Sequence, residues 1–395
     1  MAESFAGIRA EAIEQVLGSA VARGDVPGMV AAVTDRDGTV YEGAFGERGL
    51  GKGVPMTTDT VFYLASMTKP ITATCAMQLV EQGRLDLDTP ISRYVRAAQE
   101  LQVLESWDEK GQPRLRPPRR EITLRHLMTH SSGFAYILWD ADLDRYVKET
   151  SFPGLDSRQE RAFYPPLMFD PGERWEYGIS IDWVGKLVQT VSGKSLGTYM
   201  SEHVFMPLGM TSTGYAITAD MERRRATSHQ RDAAGQLAAT DWVSRQDPPT
   251  ENGGGDLYST SSDYQRFIRM ILNGGRGNGR QLLKPETVAE MSRNNLGDAR
   301  VVMLRTTNPA RSLDAEFFPG VPKSWGLSFM INDATAPTGR RAGSLAWAGL
   351  QNTFFWIDPT TGLGGVYMAQ VLPFVDEKTL ANFLEFEAAV YQSVG

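Results

Sequence analysis

The sequence contains very little cysteine and histidine. Its 395 residues include a single cysteine, Cys75, so no internal disulfide can form. We expect this thiol to be buried and structural, since it lies in an apolar segment. The four histidines are scattered, and although His126 and His130 have an i, i+4 spacing that could serve a metal, no third ligand is near them. We therefore expect no metal ion, and for this pair capping or core roles.

Long apolar runs and an excess of positive charge are also missing. No apolar run reaches the roughly 18 residues that a membrane span needs. Residues 1–9 lack the basic head and apolar core of a signal peptide. The net charge is −7, which gives no reason to expect nucleic acid or an anionic membrane as a partner. We therefore expect a cytoplasmic protein that acts on a small molecule, and we leave its oligomeric state open.

One short stretch, Ser66-Met67-Thr68-Lys69, carries a pattern with chemical meaning. Residues three apart on a helix have Cβ atoms about 5–6 Å apart, so a lysine amine can reach back to the serine hydroxyl. Such an amine can accept the serine proton if burial lowers its pKa, and the apolar flanks of the pair predict burial. An ordinary surface Ser and Lys on a helix is the alternative. Pro70 follows at once and is expected to cost a backbone hydrogen bond and to bend the helix.

The hydrophobic pattern predicts strands near both ends of the chain and helices between them. The predicted strands are 28–34, 39–46, 325–331, 344–349, 353–359 and 364–370. The predicted helices are 4–23, 67–82, 121–130, 181–191, 259–272 and 381–391. Residues 105–120 are polar and rich in Pro and Arg, which predicts an exposed loop with solvated arginines rather than an anion site. We therefore expect one sheet built from both termini, with a helical part inserted.

Taken together, these parts resemble the serine β-lactamase and penicillin-binding-protein superfamily, and most closely its family VIII carboxylesterases and class C β-lactamases. The likeness spans nearly the whole chain and implies an α+β fold of the β-lactamase/DD-peptidase type. Its subdomains would be an α/β part of about 1–60 plus 285–395 and a helical part of about 61–284. The motifs that carry it are Ser66-Met67-Thr68-Lys69, Leu127-Met128-Thr129-His130-Ser131-Ser132-Gly133, Pro171-Gly172-Glu173-Arg174-Trp175-Glu176-Tyr177, Gly254-Gly255-Asp256-Leu257-Tyr258-Ser259-Thr260 and Trp347-Ala348-Gly349.

The resemblance also implies roles for particular residues. Ser66 would be the acylated nucleophile, Lys69 its hydrogen-bonded partner, and Tyr177 a second base that matches the tyrosine of a Tyr-x-Asn motif. A phenol beside a lysine ammonium is expected to ionise more readily than its ordinary pKa near 10 suggests. The oxyanion hole would consist of the backbone N–H groups of Ser66 and Leu350. No cofactor is implied.

Two departures from the family pattern bear on the substrate. Trp347 stands where lactamases and peptidases have the lysine of Lys-Thr-Gly, which attracts a substrate carboxylate, and Ile179 stands where Tyr-x-Asn has asparagine. Both changes favour small uncharged esters over β-lactams and peptides. The substrate-binding residues would then be Trp347, Ala348, Gly349, Tyr136 and Phe134.

We therefore predict a serine carboxylesterase that cleaves short-chain esters through an acyl-Ser66 intermediate. Alternatives on the same site are a β-lactamase, a D-aminopeptidase or oligoamide hydrolase, and an acyltransferase that moves an acyl group onto an alcohol. A penicillin-recognising binding protein without turnover is an alternative of another class, against which intact Ser66, Lys69 and Tyr177 argue.

Overall fold

The structure is a computed structural model that describes residues 8–157, 159–248 and 250–394. Five of the six predicted helices begin within four residues of their predicted starts, and the first begins at Ala10. The part of the first prediction on residues 4–7 lies outside the described residues. The helices are α1 Ala10–Ala22, α2 Lys69–Glu81, α3 Leu124–Met128, α4 Ala141–Thr150, α5 Ser180–Ser192, α6 Leu196–Met200, α7 Met206–Leu208, α8 Ala219–Arg224, α9 Ser261–Leu272, α10 Pro285–Ser292 and α11 Glu377–Val394.

The strands form one large antiparallel sheet and several small ones. The large sheet has seven strands in the order β11-β12-β13-β14-β15-β1-β2. The strands are β1 Gly28–Thr34, β2 Thr39–Gly46, β3 Val61–Tyr63, β4 Val103–Trp107, β5 Pro113–Arg116, β6 Ser228–Arg231, β7 Leu237–Thr240, β8 Tyr258–Thr260, β9 Arg276–Gly277, β10 Arg280–Gln281, β11 Lys323–Trp325, β12 Met330–Asn332, β13 Leu345–Gly349, β14 Thr353–Asp358, β15 Leu363–Met368 and β16 Val371–Leu372.

The two ends of the chain meet in this sheet. Strand β1 pairs with β2 on one side and with β15 on the other, with Val30 opposite Met368 and Ala32 opposite Val366. Every residue of β1 is buried, as expected for a central strand covered on both faces. Helices α1 and α11 pack on each other, and α9 packs on β1 and β15. The predicted α+β fold, with one antiparallel sheet built from both termini, is confirmed.

Helix α2 occupies the centre of the molecule. All its residues from Lys69 to Leu79 are buried, including Cys75, and burial raises the pKa of the Cys75 thiol. Pro70 lies at the start of this helix rather than inside it. At that position a backbone N–H has no intrahelical acceptor to lose, so the expected cost of a lost hydrogen bond does not arise.

Two local predictions were wrong. Within residues 105–120, β4 and β5 pair as a hairpin, and Arg116 donates two hydrogen bonds to the buried carboxylate of Asp170 at 2.7 and 3.0 Å. Residues 325–331 are also not one strand, because Ser328 has a φ of 78° and β11 turns back there into β12. In the first case a long-range ion pair and cross-strand pairing decided the structure, which local composition does not reveal.

Among the described residues, no helix combines the length and the apolar character that crossing a bilayer requires.

Candidate active site

Ser66 lies in a tight turn between a short strand and α2. Strand β3 pairs with β8, and the N–H of Leu64 continues this pairing by donating to the carbonyl of Leu257. The 3₁₀ turn of residues Ala65–Thr68 then leads into α2. Ala65 has a φ of 45°, a conformation that costs a non-glycine residue about 1–3 kcal/mol and that is concentrated at functional sites. The turn thus presents Ser66, which is half-buried, at the end of a rigid element.

The Lys69 amine is fully buried and has three oxygen neighbours within hydrogen-bond distance. Its Nζ lies 2.9 Å from Ser66 Oγ, 3.2 Å from the Tyr136 hydroxyl and 2.7 Å from the carbonyl oxygen of Gly254. Burial lowers the pKa of Lys69 to about 7, against the opposing influence of the Asp182 and Asp256 carboxylates. A large fraction of the amine is therefore neutral near pH 7, and this neutral amine is within reach of the serine proton.

Tyr177 is buried on the other side of the nucleophile. Its hydroxyl accepts a hydrogen bond of 3.0 Å from Trp347 Nε1. The Ser66 side chain is near enough to lower the pKa of this phenol in part. The Lys69 Nζ lies 4.8 Å from the centre of the Tyr177 ring. Burial raises the pKa of Tyr177, which is opposite to the expected effect of a neighbouring ammonium. The expectation was wrong on this point because it took Lys69 as charged, whereas the same burial that isolates the phenol also favours the neutral amine.

The strand with the predicted substrate-binding residues closes the site from the sheet side. A Cβ built on Gly349 would lie 2.2 Å from the carbonyl oxygen of Leu64, so glycine lets this strand approach the nucleophile turn closely. The following residue, Leu350, carries the second N–H of the predicted oxyanion hole, and Ala348 is buried within β13. Trp347 is nearly buried, and its indole N–H donates a hydrogen bond to the Tyr177 hydroxyl. The role of the Leu350 and Ser66 N–H groups in holding an oxyanion stays a prediction.

Tyr136 and Phe134, both predicted to line the substrate site, take different positions. The Tyr136 hydroxyl lies 3.2 Å from Lys69 Nζ, and its ring centre lies 5.3 Å from that of Tyr177, so Tyr136 contacts the predicted catalytic groups directly. Phe134 has no exposed surface and stacks on Trp183 with ring centres 5.6 Å apart. Phe134 therefore packs in the core behind the loop, and its role in binding a substrate stays a prediction.

Sequence reasoning missed two acidic residues beside Lys69. The carboxylate of Asp182 accepts from the N–H of Gly254 at 2.9 Å and from the Tyr136 hydroxyl at 3.4 Å. The carboxylate of Asp256 accepts from the Tyr63 hydroxyl at 2.8 Å and from Asn252 Nδ2 at 3.0 Å. Asp182 lies in the first turn of a predicted helix. Acidic residues are so common at that position that the sequence gives no reason to choose this one.

The histidines of the sequence pair have separate structural roles. His126 Nδ1 accepts from the N–H of Thr123, whose hydroxyl caps α3 in return. His130 is buried between aromatic rings, with ring centres 4.8 Å from Tyr177 and 5.3 Å from Trp325. Within the described ranges, no group of three or more His, Cys, Asp or Glu residues could hold a metal ion.

These contacts define what the arrangement can do. An alcohol nucleophile, a buried amine with lowered pKa and a phenol close to the same alcohol can form and break an ester with a substrate acyl group. The positioned amine removes the need for a histidine. The geometry therefore fits acyl transfer through a covalent Ser66 intermediate.

The chain is similar to several known proteins. It matches the Beta-lactamase family over residues 13–390. Monacolin J acid methylbutanoyltransferase from Aspergillus terreus is 32% identical over 400 residues, which cover 96% of this chain and 95% of that protein. Esterase EstB from Burkholderia gladioli is 30% identical over 89% of this chain and 88% of its own length. A solved structure of simvastatin synthase (LovD) from Aspergillus terreus, the LovD6 mutant, is 32% identical with a TM-score of 0.83, and the match covers 96% and 94% of the two chains.

Proposed function

The chain belongs to the beta-lactamase family, and from that premise we propose that it is a serine carboxylesterase acting on uncharged carboxylic esters through an acyl-Ser66 intermediate. The observation that carries the proposal is the contact of 2.9 Å between the buried Lys69 amine and Ser66 Oγ. That the protein belongs to family VIII of the carboxylesterases stays a prediction, and so does its location in the cytoplasm. The small-molecule ester as partner is part of the same proposal.

The proposed reaction has two steps that share one set of groups. Ser66 Oγ attacks the ester carbonyl carbon while its proton passes to Lys69, and the N–H groups of Ser66 and Leu350 hold the oxyanion. When the tetrahedral intermediate collapses, the alkoxide leaves with a proton from the Tyr177 hydroxyl, which recovers one from the Lys69 ammonium. Water then attacks the acyl-enzyme with the same proton transfers and releases the acid and free Ser66.

The preference for uncharged esters follows from the residues around the phenol. Trp347 donates an indole N–H to Tyr177 and presents an apolar ring, where a lysine would place a charge for a carboxylate. Ile179 is buried and has no polar group to hold an amide. Both features disfavour peptides and β-lactams with a free carboxylate.

The test is hydrolysis of p-nitrophenyl esters from acetate to laurate by the wild type and by Ser66→Ala. We expect turnover of the short chains and a loss of at least about 1,000-fold in kcat/KM in the variant, because nucleophile removal eliminates the acyl-enzyme route. Ser292→Ala is the matched control, since that hydroxyl bonds to the carbonyl of Val288 in its own helix. A folded Ser66→Ala variant with more than trace activity contradicts the proposal.

A second candidate is acyl transfer to an alcohol, which the name of the Aspergillus relative favours. The chemistry differs in one respect, since the acyl-Ser66 ester is attacked by an alcohol instead of water. Product analysis with an added alcohol acceptor separates the two, because a transferase forms the new ester faster than the free acid. A chromogenic cephalosporin assayed in parallel tests the β-lactamase alternative.

A further inference from the structure

The buried carboxylate of Asp182 is linked to Lys69 by two bridges. Oδ1 accepts from the N–H of Gly254 at 2.9 Å, and the carbonyl of the same residue lies 2.7 Å from Lys69 Nζ. Oδ2 accepts from the Tyr136 hydroxyl at 3.4 Å, and the oxygen of that hydroxyl lies 3.2 Å from Lys69 Nζ. Each carboxylate oxygen thus reaches the lysine through one bridging group.

These bridges decide which way the hydrogens of Lys69 point. A neutral amine has two N–H groups and one lone pair. The carbonyl of Gly254 can only accept, and the Tyr136 hydroxyl, whose hydrogen is used on Asp182, must also accept from Lys69. Both N–H groups of the amine are then engaged, and its lone pair is left facing Ser66 Oγ at 2.9 Å. In this arrangement Ser66 donates its hydrogen to Lys69, as a general base requires.

Local structure supports an ionised Asp182. The residue is nearly buried in the first turn of α5, where the positive end of the helix dipole favours a carboxylate. A Cβ on Gly254 would lie 2.6 Å from Oδ2, so glycine permits the close approach of this peptide group. The ionised form is also the form that accepts on both oxygens at once.

Building on the proposed function, we propose that Asp182 is a positioning residue that orients the Gly254 carbonyl and the Tyr136 hydroxyl as acceptors and so directs the Lys69 lone pair at Ser66. Asp182→Asn is the most informative substitution, because it keeps one of the two bridges and removes the other. The amide oxygen can still accept from Gly254, but the NH₂ that replaces Oδ2 cannot accept from Tyr136. The hydroxyl hydrogen of Tyr136 is then free to turn toward Lys69 and compete with Ser66 for the lone pair.

The same substitution removes a negative charge near the amine. The groups that face Lys69 are Asp182 on α5, Asp256 in the loop before β8, the two phenols of Tyr136 and Tyr177, and the imidazole of His130. Burial raises the pKa of both phenols, and it lowers the pKa of His130 well below its usual value. Lys69 is expected to titrate near pH 7, and loss of the Asp182 charge moves its pKa further down.

The experiment measures how fast a fluorophosphonate modifies Ser66 between pH 5.5 and 9, followed by intact mass. This reagent reports on the serine without an ester substrate, so it tests the inference whatever ester the enzyme accepts. For Asp182→Asn we expect the midpoint of the profile to fall by about one pH unit. We also expect the plateau rate above the midpoint to fall about 10- to 100-fold, because the lone pair is no longer reserved for Ser66.

The matched control is Asp263→Asn, another buried carboxylate in the first turn of a helix, which accepts from the N–H of Ser212 and the hydroxyl of Thr213. Its midpoint and plateau should stay at the wild-type values. If Asp182→Asn lowers the rate without moving the midpoint, Asp182 has a merely structural role and the inference is wrong.

Two further outcomes are decided separately. If Asp182→Asn does not fold, Tyr136→Phe tests the Oδ2 bridge alone, and an unchanged plateau in that variant overturns the inference. A wild type whose Ser66 stays unmodified at every pH contradicts the proposed acyl-enzyme itself, and with it the reactivity on which this inference rests. The wild type thus tests the function, and the comparison with the variants tests the role of Asp182.

Discussion

At the scale of single residues, the site keeps a lysine in a place that disfavours its charge. Lys69 is fully buried, and its close hydrogen-bonding neighbours are two hydroxyls and a carbonyl. Burying an ammonium away from water has a free-energy cost that a paired or exposed lysine avoids. The amine must be neutral to act as a base. The burial that makes the charged form costly therefore also makes the amine reactive.

Lys69→Met should remove a pH dependence from the stability of the protein. The unfolded lysine has a pKa of about 10.4 and the folded one of about 7, so between these values the unfolded chain binds more protons and stability rises with pH. The free energy of unfolding of the wild type, relative to the variant, should rise by roughly 2 kcal/mol from pH 7.5 to 9.5. Urea unfolding at both pH values measures this. A constant difference means that Lys69 is charged in the fold.

The residues that sequence predicted and missed differ in how local their signal is. Ser66 and Lys69 are three positions apart, so a spacing rule is enough to place them together, and the structure also brings Tyr177 to Ser66. Asp182 and Tyr136 reach Lys69 from positions 113 and 67 residues away along the chain, as the difference in numbering gives. No periodicity encodes such contacts. The sequence alone therefore could not predict that these two residues are connected to Lys69.

At the scale of elements, the sheet depends on a glycine beside a tryptophan. Strands β14 and β15 pair with Trp356 opposite Gly365, and the indole lies across the glycine. A Cβ on Gly365 would lie 2.0 Å from the Trp356 ring. Since Trp356 is fully buried, the ring has little room to move away.

Gly365→Ala should therefore destabilise the protein by about 1–3 kcal/mol or more through overpacking. Thermal or urea unfolding measures the change. Gly38→Ala in the turn between β1 and β2 is the control, because a Cβ there meets no atom within 4 Å, and it should be close to neutral. Equal stability of the two variants would show that the sheet relaxes around the extra methyl group.

Element prediction succeeded where the pattern was strong and failed where pairing was distant. Strands β1 and β2 have the predicted bounds, because a compact apolar run and a turn at Asp35-Arg36-Asp37-Gly38 define them locally. Hairpin β4–β5 was predicted as a loop because its residues are polar. The ion-pair partner of Arg116, Asp170, lies far along the chain. The hairpin is stabilised by contacts that composition does not show.

At the scale of the whole molecule, the last helix, α11, packs on the large sheet and on the first helix. Phe383 of α11 stacks on Phe354 with ring centres 4.4 Å apart, and Asn382 accepts from the Tyr367 hydroxyl at 2.9 Å. Strand β13, which closes the site, belongs to the same sheet as Phe354 and Tyr367.

A chain that ends at Asp376 should therefore fail to fold, because the sheet would expose a large apolar face. We expect loss of the native circular dichroism spectrum and no modification of Ser66 by fluorophosphonate. Removal of residues 392–395 alone is the control, since Tyr391, which donates to Asp358, is kept. A folded, reactive chain without α11 would show that the site is independent of the C-terminal helix.

The buried position of Cys75 has a practical consequence for studying motion in this protein. Because the native thiol is enclosed in α2, a cysteine introduced at an exposed position would be the one sulfhydryl that a maleimide dye or nitroxide meets. The wild-type sequence can thus serve as its own unlabelled background. Two cysteines introduced at exposed positions would in the same way carry a pair of labels, whose separation fluorescence transfer or electron resonance can measure.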